Sequence, residues 1–201
     1  MPITLEAYVA VDIETAGPNP SQYSLLSIGA CLVSDPQRAF YIELQPINAN
    51  ATPEALAISH LSLEELAEHG VPPAEAMSRF EAWLAEQVPP EQRPVFVALN
   101  APFDWMFVND YFHRFLGRNP FGHAALDIKA FYMGVTGVPW KETSLRYIAA
   151  HYLRDRPLIH HALHDAQDEA ELFQQMLEEA RGEKRGACCV VRETEHATRN
   201  T

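Results

Sequence analysis

Apolar positions along this chain alternate with polar ones in short stretches and recur at helical spacing in longer ones. Glu6 to Val11 reads as a buried strand that ends on Asp12. Leu25 to Ser34 is a second apolar run, and Ala39 to Leu44 a third with polar alternation. The pieces between them, Gly17-Pro18-Asn19-Pro20 and Asp35-Pro36-Gln37, carry turn residues, so the start of the chain predicts an antiparallel meander. Helical patterns follow. Thr52 is placed to cap a helix opening on Pro53-Glu54, and Ser62-Leu63-Glu64-Glu65 is a capping box for a short helix that Gly70 ends. Pro73 to Gln87 places Ala76, Phe80, Trp83 and Leu84 on one face, and Pro89-Pro90 stops it.

Val95 to Leu99 predicts a fourth strand, and Phe103 to Leu116 a helix with Phe103, Phe107, Tyr111 and Phe115 four residues apart. Ala124 to Asp127 is a short fifth strand, followed by helical patterns at Lys129–Met133, Ser144–Tyr152 and Leu163–Ala180. A meander followed by strands alternating with helices predicts an α/β fold, a five-stranded mixed sheet flanked by helices, whose order resembles the ribonuclease H-like architecture. The periodicity fades after Gly182, so residues 1–182 read as one domain and 183–201 as a mobile tail.

Composition changes this picture little. The 201 residues, 47% apolar and 21% charged, suit one soluble domain. No apolar run reaches the roughly 20 residues of a membrane span and no signal peptide is visible, so the expectation is a cytoplasmic protein without a membrane partner. Three cysteines without framework or C-x-x-C spacing argue against a disulfide scaffold or a zinc site. Charge is more informative. The net charge is −12, yet it is uneven: residues 1–100 hold 13 acids and 3 bases, whereas residues 101–160 hold 5 acids and 7 bases. A long duplex wrapped by lysines is a poor fit to such a chain; a short or single-stranded end held near a site is a better one. Lys141, Arg146, Arg154 and Arg156 in this segment are candidates for steering phosphates, or plain solvated faces.

The candidate chemistry lies in four stretches: Asp12-Ile13-Glu14-Thr15, Asn100-Ala101-Pro102-Phe103-Asp104, Leu126-Asp127, and His160-His161-Ala162-Leu163-His164-Asp165. Asp12 and Glu14, two apart on a strand, point to one face, and carboxylates buried together need a cation to neutralise them. Asp104 opens a helix straight after a strand, where ligands gather in α/β sheets; its ordinary alternative is an interaction with the helix N-terminus. His160 and Asp165, five apart at the start of the last helix, can face one cleft.

Together these residues resemble the DEDDh branch of the DnaQ-like 3′-5′ exonucleases. Asp12 and Glu14 match its D-x-E, Asn100, Phe103 and Asp104 its N-x-x-F-D, and His160 and Asp165 its H-x-x-x-x-D. Pro53-Glu54-Ala55-Leu56 with His60-Leu61-Ser62 is similar to the stretch lining the family's 3′-terminal nucleotide pocket, and Asn119-Pro120-Phe121 before Leu126-Asp127 resembles ribonuclease T. The resemblance implies two Mg²⁺ or Mn²⁺ ions, with Asp12 bridging them and Glu14, Asp104 and Asp165 completing their shells. It implies His160 as the base that takes a proton from the attacking water, and Asp127 as scaffold. Thr15, Ala16, His60, Asn100, Phe103 and Phe121 are then the expected substrate contacts, Phe121 by stacking on a terminal base. The expected activity is 3′-5′ hydrolysis of single-stranded RNA or DNA 3′ ends to nucleoside 5′-monophosphates, RNA trimming ahead of DNA proofreading or repair, by a chain that pairs as a homodimer as ribonuclease T does. A non-catalytic nucleic-acid-binding module is the alternative of a different class.

Overall fold

The first strand sets the frame for everything that follows. The structure, a computed structural model, describes residues 5–153 and 161–182. Strand β1 (Leu5–Thr15) pairs antiparallel with β2 (Leu25–Leu32), which pairs antiparallel with β3 (Asp35–Glu43). On its other side β1 runs parallel to β4 (Gln92–Ala98), and β4 parallel to β5 (Ala125–Asp127), so the order is β3-β2-β1-β4-β5. This is the five-stranded mixed sheet expected from the sequence.

Two strand limits differ from the expectation for one reason, pairing. β1 does not stop at Asp12: its ladder with β2 runs on, Asp12 opposite Gly29 and Glu14 opposite Ser27, so the carboxylates sit inside a strand. Asp35-Pro36-Gln37 is not the turn; it begins β3, and Val33 and Ser34 make the connection instead. Because β3 is an edge strand, Pro36 can lack its N–H without breaking the sheet.

Between β3 and β4 lie α1 (Pro53–Ser59), α2 (Leu63–His69) and α3 (Pro73–Gln87). The predicted caps are present: Thr52 Oγ1 accepts from Ala55 N at 3.2 Å and Ser62 Oγ from Glu65 N at 3.3 Å. After β4 come α4 (Pro102–Leu116), then, beyond β5, α5 (Ile128–Thr136), a 3₁₀ turn at Trp140–Glu142, α6 (Leu145–Tyr152) and α7 (Ala162–Ala180). The alternation of β1 sorts the two faces. Val9, Val11 and Ile13 pack with Phe80 of α3 and Phe107, Tyr111 and Phe112 of α4. Ala10 faces the opposite way, with Leu172, Phe173 and Met176 of α7, Ile128 of α5 and Ile148 of α6. None of the described helices is long and apolar enough to cross a membrane. The tail expected at 183–201 lies outside the described residues.

Candidate active site

The strands end unevenly, and the step they leave is the site. Parallel pairing of β1 with β4 reaches Ala10 opposite Val97, whereas the antiparallel ladder with β2 carries β1 on to Thr15. The end of β1 therefore projects past β4. The chain leaving β4 turns at Asn100, whose backbone is left-handed (φ 65°), a conformation asparagine tolerates better than most residues. Asp104 follows in the first turn of α4, 5% exposed, and the Ile13 N–H offers its carboxylate a hydrogen bond. Asp127 is scaffold, as expected: its Oδ2 accepts from Ala101 N at 2.8 Å and its Oδ1 caps α5 through Ala130 N at 2.7 Å. It thereby holds the turn that delivers Asp104.

The remaining acids come from α7. Its first turn crosses β2 at Gly29, the residue opposite Asp12, and a methyl group there would overlap the Ala162–Leu163 backbone. That missing side chain lets Asp165 reach β1. Carboxylate oxygens of Asp12, Glu14 and Asp165 all lie within 4.8 Å of one another. They share a cavity of about 530 Å³ with Asp104, Thr15, Asn100 and Phe103, and with Thr52, Ala55 and Ile58 from α1 and its cap.

The site is electrostatically frustrated. Burial, then the charges of Asp104, Glu169, Asp165 and Glu14, hold Asp12 well above the usual carboxylate range. Glu14 is raised to about 7, by burial first and Asp165 second. Burial also raises Asp104, against the pull of its own N–H and that of Ile13. The strongest charges acting on Asp12, Glu14 and Asp165's neighbours are thus negative, and such a set takes up protons or cations. Carboxylate oxygens converging within 4.8 Å are hard ligands of the kind that can hold a divalent cation.

One acid was not anticipated from the sequence. Glu169 is 6% exposed, its Oε2 has no hydrogen-bond partner among the described residues, and the Leu99 N–H at the end of β4 offers it a hydrogen bond. Burial, then Asp104, raise it well above its ordinary value. The signal was available: Glu169 is four residues after Asp165, one helical turn along the same face.

Several expected substrate contacts are displaced. Phe121 is 3% exposed and packs against Phe80, Phe96 and Phe112; despite its Asn119-Pro120 context it is core, closed to any base. Ala16 is fully buried with Leu26 and Leu66, and its carbonyl accepts from Thr52 N at 2.8 Å, tying β1 to the cap of α1. His60 caps α1 two residues beyond Ile58, the last residue of the surface that faces the cavity; spacing of three presents Thr52, Ala55 and Ile58 instead. Thr15, Asn100 and Phe103 do line the cavity. His160 lies outside the described residues. The His161 ring stacks on Tyr41 at 4.6 Å, and the His161 backbone N–H donates to Asp165 Oδ2 at 3.2 Å; neither His161 nor His164 lines the cavity.

Comparison with known proteins agrees with this geometry. Residues 7–177 match the family described as the 3′-5′ exoribonuclease Rv2179c-like domain. The 3′-5′ DNA exonuclease Cap18 of Escherichia coli is 46% identical over 168 residues, covering 84% of this chain and 90% of that protein. In fold, the chain is similar to the nuclease domain of 3′hExo, a DEDDh family member bound to rAMP, with a TM-score of 0.71 at 15% identity over 87% of this chain and 93% of that one. It is also similar to the E. coli ExoI–ssDNA complex, with a TM-score of 0.65 at 16% identity over 90% of this chain and 42% of that one.

Proposed function

Because the chain belongs to the Rv2179c-like family and is a 3′-5′ exonuclease, we propose that it removes nucleoside 5′-monophosphates from the 3′ end of single-stranded DNA, using two Mg²⁺ or Mn²⁺ ions. The observation that carries this reading is the convergence of Asp12, Glu14 and Asp165 oxygens within 4.8 Å, beside buried Asp104. Those four carboxylates would hold the cations, and Glu169 behind them would add a fifth negative charge. Bound there, divalent cations supply phosphate neutralisation, an activated water and stabilisation of the leaving 3′ oxygen. Phe103 and Ile58, the latter 50% exposed at the cavity mouth, would grip the terminal base between apolar surfaces. His160, by its spacing from Asp165, is assigned the transfer of a proton from the attacking water. The choice of DNA rests on the 46% identity to a protein named as a DNA exonuclease.

RNA is the second reading, supported by the family's description as an exoribonuclease domain. Matched 5′-labelled RNA and DNA strands, each alone and paired with a complement, separate the two in the presence of Mn²⁺. Faster mononucleotide release from single-stranded DNA is expected; faster release from RNA reverses the substrate, and no release from any strand overturns the whole reading. Retained activity in Asp104→Ala or His160→Ala removes that residue from its role.

A further inference from the structure

A lysine ammonium stands at the rim of this acidic cavity. Lys129, in the first turn of α5, donates from Nζ to Asn100 Oδ1 at 3.3 Å, and Asn100 lines the cavity. Among the described residues no carboxylate lies within ion-pair distance of that ammonium. In a chain of net charge −12, a lysine beside a cluster of acids that none of the described carboxylates pairs with is available to an incoming anion.

The same ammonium lies 4.6 Å from the ring centroid of Trp140. Trp140 is 54% exposed, and no other ring packs on it among the described residues. One face carries Lys129, and the exposure leaves the remainder of the indole to solvent. Its mount is rigid. Thr143, fully buried, donates both its hydroxyl and its N–H to the Trp140 carbonyl, at 2.8 and 3.1 Å, and Pro139 fixes the entry to the turn. Lys141 follows immediately, and the whole feature lies in the only basic segment of the chain. A large aromatic held in place yet kept out of the core offers a flat, apolar π-face to a planar partner.

The geometry points to a second subsite for the strand upstream of the 3′ terminus: Lys129 takes a backbone phosphate and the open face of Trp140 stacks an unpaired base. This rests on the exonuclease reading and narrows it. Stacking on an aromatic is tolerant of sequence but needs a base whose face is free, so the subsite selects single strands over paired ends.

The full chain with Mn²⁺ tests this on two substrates. One is the p-nitrophenyl ester of thymidine 5′-monophosphate, which has a phosphodiester and nothing upstream. The other is a single-stranded DNA of about ten nucleotides. Trp140→Ala and Lys129→Ala are each expected to lower the ratio of oligonucleotide to ester kcat/KM by about tenfold, chiefly through KM, with Trp140→Phe recovering most of the loss. Anisotropy of the labelled strand, with Ca²⁺ replacing Mn²⁺, should show the same weakening without turnover. An unchanged ratio and unchanged anisotropy overturn the subsite while the exonuclease reading stands. An equal fall on both substrates overturns it too, by showing that Trp140 only supports the fold. Wild type inactive on both substrates overturns the reading beneath it as well.

Discussion

Two of the buried parts of this molecule are held together by opposite physics. On one face of the sheet Phe80, Phe96, Phe107, Phe112 and Phe121 form a dry aromatic cluster that gains stability from every contact it makes. At the strand ends Asp12, Glu14, Asp104, Asp165 and Glu169 are packed into proximity with their strongest mutual charges repulsive. Glu169 and Phe80 are both nearly inaccessible to solvent, yet only the second is content to be so. The rigid apolar half lets the acidic half stay preassembled in spite of its repulsion. The difference teaches where stability ends and function begins in this fold.

Substitutions in the two regions should therefore separate stability from activity. Asp12→Asn is expected to lower exonuclease turnover by about a thousandfold, since a lost carboxylate removes several kcal/mol of transition-state stabilisation. The same change should raise the melting temperature in EDTA, because it removes a repelling charge. An oligonucleotide digest and a thermal melt check both; a lower melting temperature in EDTA would erase the contrast. Phe80→Ala should do the reverse, costing about 3–5 kcal/mol in urea unfolding while the folded fraction keeps its turnover.

Gly29→Ala probes the join between the regions. It should push the start of α7, and Asp165 with it, away from Asp12, and lower turnover by about a hundredfold, as a small misplacement at a reacting centre can. Full activity with an unchanged melt would show that α7 adjusts freely. Glu169→Gln keeps the shape and an acceptor for the Leu99 N–H but removes the charge. Calorimetry should report Mn²⁺ affinity about tenfold weaker, and the metal-free protein should melt higher. Affinity equal to wild type would restrict Glu169 to holding the end of β4.

The smallest effect is on pH. Glu14 is raised from its ordinary value of 4.5 to about 7, so between these values the folded chain binds more protons than the unfolded one. Stability from this group is full below about pH 4.5 and falls as pH climbs to about 7, and Asp12, Asp104 and Glu169 are shifted in the same direction. The melting temperature in EDTA should accordingly drop by a few degrees, on the order of 1 kcal/mol, between pH 5 and pH 8, with Mn²⁺ flattening the slope. A melting temperature that rises over that range in EDTA would contradict the repulsive account of the site.

Much of this was legible in order along the chain. Helix α3 runs from Pro73 to Gln87 as its periodicity and flanking prolines predict, and the Thr52 and Ser62 caps act as their local sequence indicates. The motif acids Asp12, Glu14, Asp104 and Asp165 do meet in one cavity, and the DnaQ-like resemblance is borne out by the family match. What misled was always a residue whose partner is distant. Asp12 looks like the end of a strand until β2 pairs beyond it, and Phe121 looks like a surface aromatic until Phe80 and Phe96 enclose it.

By itself the sequence determined the elements, the family and the identity of the acids, because helix periods, caps and motif spacing are local properties of a chain. Only the tertiary structure decided that β1 overshoots β4, that Gly29 admits α7 against Asp12, that Glu169 joins the site, and that Lys129 and Trp140 stand at its rim. Each of those depends on groups from separate elements occupying, or leaving empty, the same few ångströms. No spacing along one strand or helix encodes such a meeting.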